Sequence, residues 1–204
     1  MYVIGITGGI GSGKSRILRH MSEKWGAAAV ALDDVGRRLM EKGGATYEGI
    51  LELFGDDRAS ALLADGSIDK GAVAAAMVGD PGFEERLNAV VHPAVRRETL
   101  RIIKEEESKG TELLCLESAI LFETGYDALC GEVWYIYART SERSKRLKEN
   151  RGYSDERIEG TMNLQLTDEE YRKKDIYVID NSGKLEDAFA AADRRAAEIR
   201  GCMR

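Results

Sequence analysis

The sequence predicts an α/β fold: a parallel five-stranded sheet flanked by helices, with a helical insertion and a second helical excursion. Three observations lead there. Five short apolar runs are spaced along the 204 residues, at 2–7, 28–33, 112–117, 132–138 and 176–180. Each is apolar almost throughout rather than alternating, as expected of strands buried on both faces. The stretches between them have helical character, and alternating strands and helices form a parallel sheet with right-handed crossovers.

The first run, "YVIGIT", is followed by a glycine-rich stretch and then by Ile17, Leu18, Met21 and Trp25 at helical spacing, with Gly26 placed to stop that helix. The second run, "AAVALD", ends in acidic residues. The gap to the third run, "ELLCLE", is too long for one crossover, so residues 34–111 read as a helical insertion of about 75 residues. Pro93 should break or kink the helical pattern that contains "FEERLNAVVH". The fourth run, "EVWYIYA", and the fifth, "IYVID", are separated by a strongly charged helical excursion over 140–170. A last helix over 184–200 lines up Leu185, Ala188, Phe189, Ala192 and Ile199. The expected organisation is therefore a core of 1–33, 112–139 and 171–204, an acceptor-binding insertion at 34–111 and a lid at 140–170.

Hydrophobic residues make up 43% and charged residues 32%, enough apolar surface for a sizeable core. A net charge of −6 argues against a nucleic-acid scaffold that works by broad phosphate neutralisation. Three cysteines at wide spacing suggest neither a disulfide framework nor a zinc site, and Cys115 reads as a buried small hydrophobe. No apolar stretch approaches the ~20 residues of a membrane span. The expectation is a cytosolic protein without a membrane or nucleic-acid partner.

Five glycines fall between Gly5 and Gly13, and "GGIGSGKS" fits G-x-x-x-x-G-K-[ST] at Gly8, Gly13, Lys14 and Ser15. With a strand before and a helix after, this is the context of a P-loop. Glycines let successive N–H groups turn onto one anion, and the helix N-terminus adds to that field. Gly9, Gly11, Ser12, Gly13, Lys14, Ser15 and Arg16 are the expected phosphate-binding set, with the Ser15 hydroxyl placed to ligate Mg²⁺. A glycine-rich turn with a chance lysine is the plainer alternative.

A GTPase would need N-K-x-D, which is absent. A small kinase needs a base, an acceptor site and arginines over the phosphates, and the two helical excursions suit those needs. Asp33 ends the second run, where strand ends line the ligand crevice, so it is the expected base; Asp34 reads as a helix cap. Glu117 ends the third run and reads either as a metal-side acid or as a simple strand end. Of Arg143, Arg146 and Arg151, the expectation favours Arg146 and Arg151, each beside an apolar or glycine position that could anchor it.

The ordered series "IGITGGIGSGKS", "ALDDVGRRLM", "FGDD" with "ADGSIDKGAV", "LNAVVHP", "LESAILFETG", "RLKENRGYS", "MNLQ" and "DIYVIDNSG" resembles the dephospho-coenzyme A kinase family over nearly the whole chain. The resemblance implies ATP-dependent phosphorylation of the ribose 3′-hydroxyl of dephospho-CoA, the last step of coenzyme A synthesis. It implies ATP and Mg²⁺, Asp33 as base, Lys14 and Arg146 as catalytic groups, Arg151 in the lid and Asn181 near the adenine. It places His92 in the acceptor region with Phe54, Asp69 and Leu87. The chain departs from the family pattern at Ala31, where an aspartate is usual, and at Lys70, where an arginine is. Another small-molecule kinase, acting on a nucleoside or nucleotide, is the nearest rival reading.

Overall fold

The structure, a computed structural model, describes residues 1–203. Strands β1 (Tyr2–Thr7), β2 (Ala28–Ala31), β3 (Leu113–Glu117), β4 (Glu132–Tyr137) and β5 (Tyr177–Asp180) form one sheet. Their order is β2-β3-β1-β4-β5, and every pairing is parallel. The helices are α1 (Lys14–Trp25), α2 (Leu32–Met40), α3 (Tyr47–Glu52), α4 (Lys70–Gly79), α5 (Phe83–Ser108), α6 (Thr140–Arg151), α7 (Asp155–Asn163), α8 (Asp168–Arg172) and α9 (Leu185–Cys202). The predicted α/β sheet is present, in a chain that divides into two compact units. One is Met1–Ala31 with Glu106–Arg204, and the other is Leu32–Glu105.

In the sheet unit, β1 lies at the centre, with Ile4 paired to Cys115 on one side and to Glu132 on the other. Ile4, Ile6, Leu113, Cys115, Trp134, Ile136 and Ile179 pack with Ile17 and Met21 of α1 and with Ala188, Ala192 and Ala196 of α9. Cys115 is the small buried hydrophobe its sequence context suggests, and burial pushes its thiol up to about 12. Gly26 caps α1 in the left-handed conformation, its N–H bonded back to Met21 and Ser22 carbonyls.

The alanine stripe of α9 brings that helix close to α1, and Asp193 fastens the pair. Its carboxylate accepts hydrogen bonds from His20 (2.8 Å), Lys24 (2.8 Å) and Trp25 (2.7 Å). His20 stacks flat on Phe189, centroids 4.1 Å apart. Since α1 begins at the glycine loop, this clamp also steadies the loop.

The second unit has its own core of Tyr47, Ile50, Leu51, Ala61, Ile68, Val73 and Phe83. The Tyr47 hydroxyl donates to the Gly66 carbonyl at 2.6 Å and ties α3 to the turn before α4.

Three expectations need correction. The second strand ends at Ala31, not at 33, because Leu32 and Val35 are buried at helical spacing and start α2 early. Asp34 therefore lies inside the first turn of α2, paired with Arg37, and is not its cap. Of the break or kink expected at Pro93, the break does not occur: α5 runs through it for 26 residues. Proline removes one amide, which leaves the Ala89 carbonyl unpaired. Ala89, His92 and Pro93 are all exposed, so water satisfies that carbonyl at small cost.

Burial opposes ionisation of Asp193, but the hydrogen bonds from Lys24, Trp25 and His20 outweigh it and hold the carboxyl at about 2. A carboxyl held below its ordinary value contributes stability above about pH 4 and loses it as the pH falls toward 2. Asp193→Asn should weaken the clamp by about 1–2 kcal/mol, lowering Tm by roughly 2–8 °C at pH 7. Melts from pH 7 to pH 2 should show the gap to wild type closing below pH 4. A gap that stays constant would place the clamp's contribution outside the charge.

Candidate active site

The turn from β1 to α1 carries the contiguous set Gly8 to Arg16. Gly8, Gly11 and Gly13 have φ of 143°, 79° and 100°. A Cβ on Gly8 would press on the Ile136 carbonyl oxygen, and one on Gly13 would overlap the Asn181 amide. At Gly11 it would lie 3.0 Å from the Arg143 carbonyl oxygen and 3.1 Å from Leu147. The glycines are thus required by conformation and by close approach together. Lys14 and Ser15 open α1. The N–H groups of Arg16 and Ile17 donate to the Gly13 carbonyl at 3.0 and 3.3 Å, and the helix start brings the positive end of its dipole to the turn.

The Lys14 ammonium lies back over the loop, donating to the Gly8 carbonyl at 2.8 Å and to Gly9 at 3.4 Å. Its Nζ is 3.8 Å from the carboxylate of Glu117, which is buried at the end of β3. Ser15 and Arg16 are exposed on the first turn of α1. Among the described residues, no group of three or more histidine, cysteine, aspartate or glutamate side chains converges to cage a metal.

Three distant segments close on the loop. Asn181, just past β5, donates from Nδ2 to the Ser12 carbonyl at 2.7 Å. Its own N–H continues the β4–β5 pairing onto Tyr137. Arg146 of α6 donates to the Asn181 carbonyl at 2.7 Å and to Ser12 at 3.4 Å. Arg143, one turn earlier, donates from Nε to the Ile10 carbonyl at 2.8 Å. Its guanidinium occupies the place where a Gly9 side chain would stand. Gln165, between α7 and α8, accepts from the Ile10 N–H at 2.8 Å and from Arg143 at 3.4 Å. Two buried oxygens at the loop, Ser12 Oγ and Asn181 Oδ1, have no hydrogen-bond partner.

Of the residues expected from sequence, Gly9, Gly11, Ser12, Gly13, Lys14, Ser15, Arg16, Arg146 and Asn181 come together here. Arg151 does not: it is exposed at the last residue of α6 and makes no loop contact. Sequence reasoning gave Arg143 too little weight and assigned no role to Gln165. The available signal was Leu147, four residues after Arg143, which is buried and anchors that face of α6.

In the second unit, Asp33 is exposed in the first turn of α2. Phe54 meets Phe83 edge-to-face at 5.2 Å, and Leu87 packs on the same core. Asp69 caps α4, accepting from the Gly71 N–H at 2.7 Å. His92 is exposed on α5. Phe54, Asp69 and Leu87 thus each have a structural task within the unit.

A family model described as dephospho-CoA kinase matches residues 2–187. A dephospho-CoA kinase of Dehalococcoides mccartyi is 32% identical over 198 residues, covering 97% of this chain and 98% of its own length. Another, of Corynebacterium diphtheriae, is 36% identical over 183 residues, 90% of each chain. Among solved structures, TT1252 from Thermus thermophilus superposes with a TM-score of 0.79 at 33% identity, covering 97% of both chains.

Gly8→Ala sets a side chain at a φ of 143° against a backbone oxygen of β4 that cannot retreat. The strain should cost about 1–3 kcal/mol, or roughly 2–12 °C in Tm. The variant should also lose the stabilisation that ATP gives the wild type in thermal melts. A wild-type melt with an intact ATP shift would mean that the turn relaxes without cost.

Proposed function

The chain belongs to the dephospho-CoA kinase family, and on that premise we propose how its residues divide the transfer of phosphate from ATP to dephospho-CoA. The observation that carries the reading is the glycine loop itself, with Lys14 beside it and arginine and asparagine side chains closing over it. Such an arrangement stabilises charge that develops on a transferring phosphoryl group.

The loop from Gly9 through Arg16 holds the ATP phosphates, and the Lys14 ammonium moves from the Gly8 carbonyl onto them. Besides the Gly8 and Gly9 carbonyls it has the Glu117 carboxylate at 3.8 Å, and a phosphate oxygen in direct contact adds a charge-assisted hydrogen bond. Asn181 Oδ1 is buried without a partner, which suits acceptance of a donor such as the adenine amino group. Arg146 neutralises phosphate charge from α6, and Arg151 reaches the site only if the lid segment at 140–170 closes further.

The Ser15 hydroxyl and the Glu117 carboxylate are hard oxygen donors, and Mg²⁺ characteristically takes few protein ligands and completes its shell with phosphate and water. They would therefore hold Mg²⁺, which when bound supplies charge neutralisation to the phosphates. Asp33 follows Ala31, the last β2 residue, by two positions, and Ala31 pairs with Glu117 across the sheet. On this sequence position we assign Asp33 to orient the 3′-hydroxyl and take its proton. The helical unit holding Phe54, Asp69, Leu87 and His92 binds the acceptor. No described helix is long and apolar enough to cross a membrane, and we read the enzyme as cytoplasmic.

Lys14→Ala should lower turnover by about 10²–10⁴-fold; full activity with unchanged ATP affinity would remove the loop from the mechanism. Asp33→Asn should bind ATP normally and fail at transfer, with a loss of about 10²–10⁴-fold. Near-normal transfer would remove Asp33 as base. In a panel of acceptors with labelled ATP, dephospho-CoA should be phosphorylated and nucleosides should not.

A further inference from the structure

We propose that Arg143 binds the terminal phosphoryl group of ATP and that Gln165 is the positioning residue that holds the guanidinium in place. The inference rests on reading the glycine loop as the ATP site. It assigns the two side chains that the sequence pattern left aside.

The first argument is charge. Arg143 hydrogen-bonds to the Ile10 carbonyl and to Gln165, both neutral, and no carboxylate pairs with it among the described residues. Burial holds its guanidinium below the ordinary arginine value, while Tyr135 and Tyr171 nearby act in the opposite sense. A half-buried cation without an anion is costly unless the site supplies one. Elsewhere in this unit, Arg195 lies against Glu132 and Glu198, and Arg200 against Glu112.

The second argument is position along the loop. Arg143 and Lys14 meet at Gly9: the ammonium is 3.4 Å from its carbonyl, and the guanidinium covers its Cα. Arg146 lies at the other end, on Ser12 and Asn181, next to the start of α1. In a P-loop the amides of the turn and helix start cradle the inner phosphates, and the lysine reaches the outer ones. Arg143, on the lysine's side, therefore meets the outer phosphate, and Arg146 the inner ones.

The third argument is orientation. One acceptor, Gln165 Oε1, takes both the Ile10 N–H and the Arg143 guanidinium. The guanidinium is thus referenced to the loop backbone rather than to a flexible side chain. A donor already aimed before the reaction stabilises developing charge without reorganisation.

ADP lacks the terminal phosphoryl group, so the test compares ADP with a non-hydrolysable ATP analogue. Both are titrated with Mg²⁺ by calorimetry into the full chain, with melts as a check on folding. Arg143→Met should weaken the ATP analogue about 10–100-fold and ADP less than about threefold. It should also lower turnover by about 10²–10³-fold. Arg143→Lys, which keeps the charge but not the fork, should fall between and decides the matter if the methionine variant does not fold. Gln165→Leu should shift the same ATP-to-ADP preference in the same direction. Arg146→Met should weaken both nucleotides alike. Equal losses for ADP and the analogue in the Arg143 variants, or no loss at all, overturn the proposal while the ATP site stands. A wild-type protein that binds neither nucleotide overturns the ATP-site reading beneath it.

Discussion

The candidate site depends on one constraint: the backbone from Gly8 to Gly13 must hold a shape that ordinary side chains forbid. Three of its residues have positive φ, and each missing Cβ leaves room for something specific. At Gly8 it is the β4 backbone, at Gly11 the α6 backbone and Leu147, and at Gly13 the Asn181 amide. The loop is therefore wedged among three segments that come from 120 to 170 residues later in the chain. That arrangement needs β1 inside the sheet, since an interior strand ends between two neighbours. The clamp of α9 on α1 through Asp193 steadies the helix that the loop begins.

The electrostatics follow from the same geometry. The chain as a whole is acidic, yet Lys14, Arg143 and Arg146 converge on a few loop residues beside a helix N-terminus. Both arginines take main-chain carbonyls and side-chain amides as partners rather than carboxylates. Carbonyl dipoles compensate such charges incompletely, so the positive field remains directed at the loop. A net charge thus says little about a small anionic ligand, whose field is set within a few residues.

Much of the fold was legible because its strands are buried on both faces and read as unbroken apolar runs, most clearly Leu113–Glu117, all five of whose residues are buried. The phosphate loop was legible because its residues are consecutive. What failed were local stop signals. The aspartates after β2 read as strand-end and cap, but burial of Leu32 and Val35 begins the helix before them. Pro93 reads as a break or a kink, and the break does not occur because a proline whose freed carbonyl faces water lets a long helix continue. Burial decides the first case and solvent exposure the second.

The arginines show where sequence reading reaches its limit. Arg146 and Arg151 sit beside apolar or glycine neighbours, and adjacency in sequence was the guide. On a helix the relevant neighbour is three or four residues away, not one. Leu147 is the buried anchor of α6; Arg143 lies one turn before it and reaches the loop, as does Arg146, three residues after Arg143. Arg151 is eight residues beyond Arg143, about 12 Å further along the axis, past the end of that contact. Gln165 was harder still. Its partner is a backbone N–H 155 residues away, and main-chain partners leave no mark on composition or periodicity. Side chains that act on backbone can be assigned only once the fold has brought that backbone to them.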